Sequence, residues 1–562
     1  MKNKMFIVSW LIIFMFFTSL AYGQEDYNNN RQITDRLKKL ATNYPNIASF
    51  SSITKTLGGQ DICVLTIGSD DINNHPGIVI IGGVEGNHLL GTEMAVRFAE
   101  KLLANSDNDS IKLLLSTTTF YIFPNMSPDA TEQYFANLKY ERLGNDNNTD
   151  DDRDWKVNED PFEDLNNDGM ITLVRVRDPA GEWKTHTTDN RVMVKAGIEK
   201  GEFGSYRIFS EGIDNDKDGN FNEDGEGGVV FNKNFTFDYP YFTSDAGIHQ
   251  VSEPETRALL DFLYDAWNVF AVVSFGEANN LSDPLKSSQR PSTSSSTDMG
   301  RRRFSRVIKS ILPEDAKMNQ IVSEKYNNII GEKGAPKAPG TQGDFFQWAY
   351  FHYGRYSYST PGWWVPKVEE KKERPTGMNA KTETVPIVEF LRWAEKNNIE
   401  NVFVPWQKIQ HPDFPEKEVE IGGIVPFVMK NPPYNMVEEI GEKHYRFLLE
   451  LAEMKPQIDI INVKNISVSK NITRITADIY NKGLLSTTSE IGERNRWVRK
   501  VKVELTPIDG QTLIAGQKVQ LLGNIQGDSS KQISWLIKGK GKIKLKAGSP
   551  NTGIKEIEIT LK

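Results

Sequence analysis

Residues 78–101, IVIIGGVEGNHLLGTEMAVRFAEK, read as a strand that turns on glycine into a helix. The branched apolar run at 78–81 has the length and composition of a buried strand. Gly82 and Gly83 follow it and let the backbone turn sharply. Beyond them Met94, Phe98 and Leu102 recur at helical spacing, with Arg97, Glu100 and Lys101 on other faces. Two metal-competent side chains, Glu85 and His88, fall on the turn between the two elements. Open α/β sheets hold their ligands at such strand ends.

The chain has 562 residues, with 38% hydrophobic and 25% charged. That is an ordinary globular composition, and the length predicts more than one domain. A net charge of −8 argues against general nucleic-acid binding, which needs a basic face. Residues 1–23 read as a secretory signal: Lys2 and Lys4, an apolar run at 5–17, then Ala21-Tyr22-Gly23 before a cut at Gln24. The alternative is an uncleaved anchor, for which the run is short. No later run is long enough to span a bilayer, so the expected location is secreted or periplasmic. Cys63 is the single cysteine, which excludes an internal disulfide.

Two acidic runs stand out between about 140 and 228. The first contains Asp164, Asn166 and Asp168 before Gly169; the second contains Asp214, Asp216 and Asp218 before Gly219. This alternate spacing can turn oxygen ligands around one hard cation, so calcium is the expected ion. The twelfth positions are Arg175 and Gly225, so the bidentate Glu of an EF-hand is missing. The alternative is a solvated acidic loop; two spaced copies favour calcium.

The frame GGVEGNHLLGTE resembles the strand-to-helix turn of the zinc carboxypeptidases of the peptidase M14 family, G-G-x-H-G-N-E-x-x-G-x-E. There the His and the Glu are the first two zinc ligands. Glu85 stands at the His position and His88 at the Glu position. Both side-chain types bind zinc, since two His and one Glu form a known catalytic set, that of carboxypeptidase included. Three later stretches are similar to the same family in the same order. PNMSPDA, with Ser127, Pro128 and Asp129, resembles a strand end that lines the cleft. FNKNF resembles the segment that captures the substrate carboxylate, which implies that role for Asn232 and Lys233, and SEPET at 252–256 matches the family stretch that follows it. Lys in place of Arg keeps the charge and loses the bidentate fork.

The resemblance also implies a third zinc ligand just after the strand at 270–275. Ala278 falls there, with Glu277 beside it as a substitute. It implies a catalytic Glu near 361, where this sequence has Pro361; Glu389 lies on an apolar helix pattern and reads as structural. His411, before a Pro, reads as structural too. The expected fold is therefore α/β, a zinc-carboxypeptidase-like domain over 24–455 with a mixed central sheet flanked by helices. From 456 to 562 short strands separated by turn residues predict a β-sandwich of immunoglobulin-like type. Two functions stay open. One is a metallocarboxypeptidase-like protein with a rebuilt zinc site of Glu85, His88 and Glu277 and impaired catalysis. The other is a non-catalytic protein that keeps the cleft for a peptide or peptidoglycan-like ligand.

Overall fold

The computed structural model describes residues 26–148, 156–158, 160–222, 225, 228–288, 308–366 and 385–561. The expected signal at 1–23 lies outside them. Among the described residues no helix is long and apolar enough to cross a membrane.

Six strands form the central sheet: β1 (Ala48–Lys55), β2 (Asp61–Ile67), β3 (Gly77–Ile81), β4 (Thr119–Phe123), β5 (Val269–Phe275) and β6 (Tyr356–Thr360). Their order is β1-β2-β4-β3-β5-β6. β3 runs parallel to both β4 and β5, and β6 is parallel to β5, while β1 and β2 are antiparallel. The sheet is mixed, as the sequence predicts. Every residue of β3, β4, β5 and β6 is buried. In β3, β4 and β5 these are near-continuous apolar runs, as parallel strands covered on both faces need, whereas β6 alternates Tyr with Ser.

The turn after β3 admits only glycine at two places. A Cβ on Gly82 would lie 2.3 Å from the Gly91 carbonyl oxygen, and Gly83 has φ +59° with Asn125 Oδ1 2.3 Å from where its Cβ would be. The helix Leu89–Ala104 then buries Met94, Phe98 and Leu102, each at 1% exposure or less. Its charged side is covered as well. Arg36, from the helix Asn30–Asn43, grips Glu93 and Glu100 with four bonds of 2.8–2.9 Å. Lys101 pairs with Glu438 and Glu442 of the helix Val437–Glu453 at 2.7 and 3.1 Å, and Arg97 also pairs with Glu438. The polar stripe is thus a seam between helices.

The acidic segment is more than a loop. It supplies Leu173–Arg177, Trp183–Thr185, Met193–Lys195 and Tyr206–Ser210 to a second six-stranded sheet, completed by Phe403–Ile409 and Val419–Ile424. His411 sits at that sheet's edge, buried, with Nε2 3.0 Å from the Gly212 carbonyl and its ring among Phe209, Phe221 and Phe414. Residues Ile458–Leu561 form two four-stranded antiparallel sheets packed face to face over Ile475, Ile479, Val503, Leu505, Trp535 and Leu545. This is the expected β-sandwich. One strand, Thr512–Ala515, has no clear alternating burial.

Candidate functional site

Glu85 and His88 come to the carboxyl end of β3, both buried. Glu85 lies against Gly276, whose absent side chain makes the room: a Cβ there would sit 2.8 Å from Glu85 Oε2. Asn232 Nδ2 donates to Glu85 Oε1 at 2.7 Å, and the Glu277 backbone N–H adds a longer bond of 3.3 Å. Oε2 is buried and unpartnered. Burial pushes the Glu85 carboxyl up to about 8, with Glu277 adding to the rise and the Glu277 N–H, Lys430 and Asn232 opposing it. Burial holds the His88 imidazole down at about 4, helped by Lys430. Near neutral pH both side chains are therefore uncharged.

His88 Nε2 lies 3.1 Å from the Pro361 carbonyl oxygen. A carbonyl only accepts, so Nε2 carries the proton and has no lone pair to offer. The position that the resemblance assigns to a catalytic base thus spends its backbone on the position assigned to a ligand. Nδ1 faces Gly91 from inside the fold, 3.0 Å from where a Cβ on that glycine would be.

Glu277 does not join them as a third ligand. Its side chain is half exposed and forms an ion pair with Lys430. Lys430 belongs to the segment after Ile424, which lies over the turn. Phe427 N–H donates to Glu141 Oε1 at 2.8 Å, and the other Glu141 oxygen accepts from Asn87 Nδ2 at 2.6 Å. Asn431 Nδ2 donates to the Asn87 carbonyl at 2.9 Å, and Asn431 Oδ1 accepts from Leu90 N–H at 3.0 Å. That last bond satisfies a first-turn N–H of a helix whose own N-cap, His88, makes no side-chain cap. Sequence reasoning missed Glu141, Lys430 and Asn431, because nothing local links residues from 54 to 344 positions apart.

The residues assigned to substrate capture are also engaged. Asn232 bridges Glu85 and the Phe345 N–H, which donates to its Oδ1 at 2.9 Å. Lys233, partly exposed, pairs with Asp245. Asp129 is buried and structural, accepting from Thr56 Oγ1 at 2.5 Å and from the Asp146 N–H at 3.2 Å.

The two acidic runs fold as similar tight loops. Asp164 Oδ2 accepts from Gly169 N–H at 2.8 Å, and Asn166 and Asp168 accept from Asp168 and Met170 N–H at 2.9 Å each. Asp214 Oδ2 accepts from Gly219 N–H at 3.1 Å, Asp216 from Asp218 N–H at 3.1 Å and Asp218 from Asn220 N–H at 2.7 Å. In the second loop the three carboxylates bring one oxygen each within 4.8 Å of one another; they are the single such group of three metal-competent side chains among the described residues. Asp214 Oδ1 is buried without a partner.

A mixed sheet with its chemistry-bearing turn at the end of a parallel strand defines the chain as an α/β protein of the carboxypeptidase type. The model of the family described as zinc carboxypeptidase, peptidase M14, matches residues 33–363, more than half of the chain, and the protein belongs to that family. A separate model, of a domain of unknown function, matches residues 457–560. Carboxypeptidase E of Caenorhabditis elegans is 30% identical over 112 residues, 19% of this chain and 24% of that protein. A zinc carboxypeptidase of Saccharothrix mutabilis subsp. capreolus is 24% identical over 142 residues, covering 25% and 30%. The chain thus aligns with less than a third of the length of either relative. Among solved structures, thrombin activatable fibrinolysis inhibitor superposes with a TM-score of 0.39 at 11% identity, over 76% of this chain and 74% of that one.

Family membership implies zinc, and the residues present can be tested against it. A catalytic zinc takes three protein ligands and keeps a fourth position open. Here the Glu85 carboxyl is engaged through Oε1 by Asn232, the His88 imidazole is bonded through Nε2 to a carbonyl with Nδ1 enclosed beside Gly91, and the third candidate, Glu277, pairs with Lys430. Ala278 offers no ligand atom. This donor set does not fit zinc.

Proposed function

We propose that this protein is a zinc-carboxypeptidase-family member that has given up metal-dependent hydrolysis and binds peptide carboxyl ends, or cell-wall fragments that carry them, outside the cell. The observation that carries the reading is the His88–Pro361 contact: one bond takes up Nε2 and leaves only Nδ1, enclosed beside Gly91, as a ligand atom, at a position whose side chain cannot act as a base. Lys233 remains the recognition element. Its partner Asp245 is a carboxylate on a surface loop, and an incoming carboxylate has the same chemistry and can exchange for it. The reading in which Glu85 and His88 still build a metal site draws on the unpartnered Glu85 Oε2, but it needs a third ligand. The acidic loops at 164–169 and 214–219 fit a stabilising calcium, with Asp214 Oδ1 as the free ligand atom of the second loop.

The test is release of a C-terminal residue from short peptides by protein loaded with zinc, with metal content measured on the same sample. The expected result is less than one zinc per chain, no chelator-sensitive release, and retained binding of the peptide. Robust release abolished by chelator sinks the proposal.

A further inference from the structure

A cavity lies at the opposite end of the central sheet. The strand-end turn is at the carboxyl end of β3 and β5. Asn73, Trp267 and Asn268 precede those two strands, and they form one wall of a cavity of about 730 Å³. β5 has seven residues, so about 20 Å separates the two places at ~3.3 Å per residue. The other wall comes from the sandwich: the segment around Glu490–Asn495 and the outer face of the sheet that contains Val501–Thr506. The volume falls within the ~300–1,000 Å³ typical of ligand sites, which favour domain junctions.

The charge of this cavity is the reverse of the whole chain's. Five cationic and three acidic side chains line it, in a protein of net charge −8. One acid, Glu504, is already taken by Lys502 at 2.6 Å. Arg496, Lys500 and Lys546 make no ion pair among the described residues. Arg499 stacks on Trp267 with its guanidinium carbon 3.8 Å from the ring centroid, which fixes a planar cation at the wall. Leu521 and Ile554 add apolar surface, exposed at 64% and 42%.

We propose that this junction cavity binds a short acidic peptide segment. Free cations suit side-chain carboxylates, and an immobilised guanidinium suits a bidentate one. Of the remaining acids, Asp265 suits the N–H groups of a peptide backbone; Glu493 already accepts from the Asn524 N–H at 3.2 Å, and both would repel a uniform polyphosphate. Trp267, Leu521 and Ile554 cover the apolar parts of such a chain.

The experiment uses the full chain and a fluorescein-labelled tetraglutamate peptide, read by anisotropy at low and high salt. Saturable binding that weakens with salt is expected, at least tenfold weaker in the double variant K500E/K546E and unchanged in K39E, an exposed lysine far from the cavity. Lys500 and Lys546 are exposed, so the reversal leaves the cores intact; a melting curve checks this. Equal binding by wild type and double variant overturns the proposal. So does absence of binding at millimolar protein, or tighter binding of a labelled oligothymidylate in competition. Self-association of the wild type that the double variant abolishes would put an acidic run of a second copy in the cavity, and the separate peptide ligand would fall.

Discussion

His88 and Pro361 touch through an imidazole N–H and a main-chain carbonyl, so replacing the proline side chain does not break the contact. Pro361→Glu is therefore expected to leave peptide hydrolysis at background, although a general base is typically worth ~10²–10⁴-fold in rate. Even with Glu85→His, His88→Glu and Ala278→His added, Lys430 and Asn431 still cover the turn. A C-terminal residue-release assay on the single and quadruple variants checks this; recovery in Pro361→Glu alone would show that the base was the one missing part. Asp245→Asn is expected to release Lys233 and tighten binding of a peptide carboxylate by up to about fivefold, the scale of a lost competing surface ion pair. Titration calorimetry against the same peptide with an amidated end reads the effect, and Lys233→Met should cancel it. At this scale the sequence was informative about residue type and silent about direction. Glu277 is a carboxylate beside the strand end, as read; that it turns outward depends on Lys430, 153 residues later. The engagement of Asn232 by Glu85 and Phe345 is hidden in the same way, since all three meet only in the folded chain.

Among the elements, the strand–turn–helix at 78–101 was legible because local and tertiary demands agree. A fully apolar strand, two glycines with no room for a Cβ, and a helix with one apolar stripe all specify one structure. The second sheet was not legible: its strands come from 173–210 and 403–424, and each part alone is short and half polar. That sheet carries both acidic loops. Glu211, fully buried, holds the first by accepting from Leu165 N–H at 2.9 Å and Asn166 N–H at 3.2 Å. The loop geometry is thus set by the protein before any ion arrives. Calcium in millimolar excess is expected to raise the melting temperature, by about 2.7 kcal/mol of stability when the ion is at 100 times its dissociation constant. Asp214→Asn should lose most of the second loop's share. An unchanged melting temperature between calcium and chelator would leave these loops as solvated turns.

Across the whole molecule the sandwich is tied to the catalytic-type domain rather than strung from it. Ile491 inserts beside Ile311, Leu312 and Tyr350. Asp315 accepts from Glu490 N–H at 2.7 Å and Ile491 N–H at 3.1 Å, capping the short helix Glu490–Asn495 from the other domain. Ser489 Oγ donates to the Gly354 carbonyl at 2.8 Å, and Leu485 lies in the main core. Full-length protein is therefore expected to unfold in one calorimetric transition. Ile491→Ala, at about 2–5 kcal/mol for a buried aliphatic truncation, should split it into two. Two transitions in the wild type would show that the joint is too weak to couple the domains. The joint also has a pH dependence with a fixed sign. Burial raises the Asp315 carboxyl to about 6 against the bonds from Glu490, Tyr350 and Ile491. The folded state then keeps a proton that the unfolded chain releases near the ordinary aspartate value of 3.8. Its contribution is full below that value, is lost as pH rises towards 6, and is flat beyond, at most about 1.4 kcal/mol per pH unit. Asp315→Asn lacks this titration and places an amide against N–H donors, so it is less stable throughout. The gap between wild type and variant should narrow from pH 4 to pH 6 and stay constant from 6 to 8. Denaturant melts of both proteins across that range test it, and a gap that widens with pH would mean that Asp315 is charged throughout and caps the helix as a carboxylate.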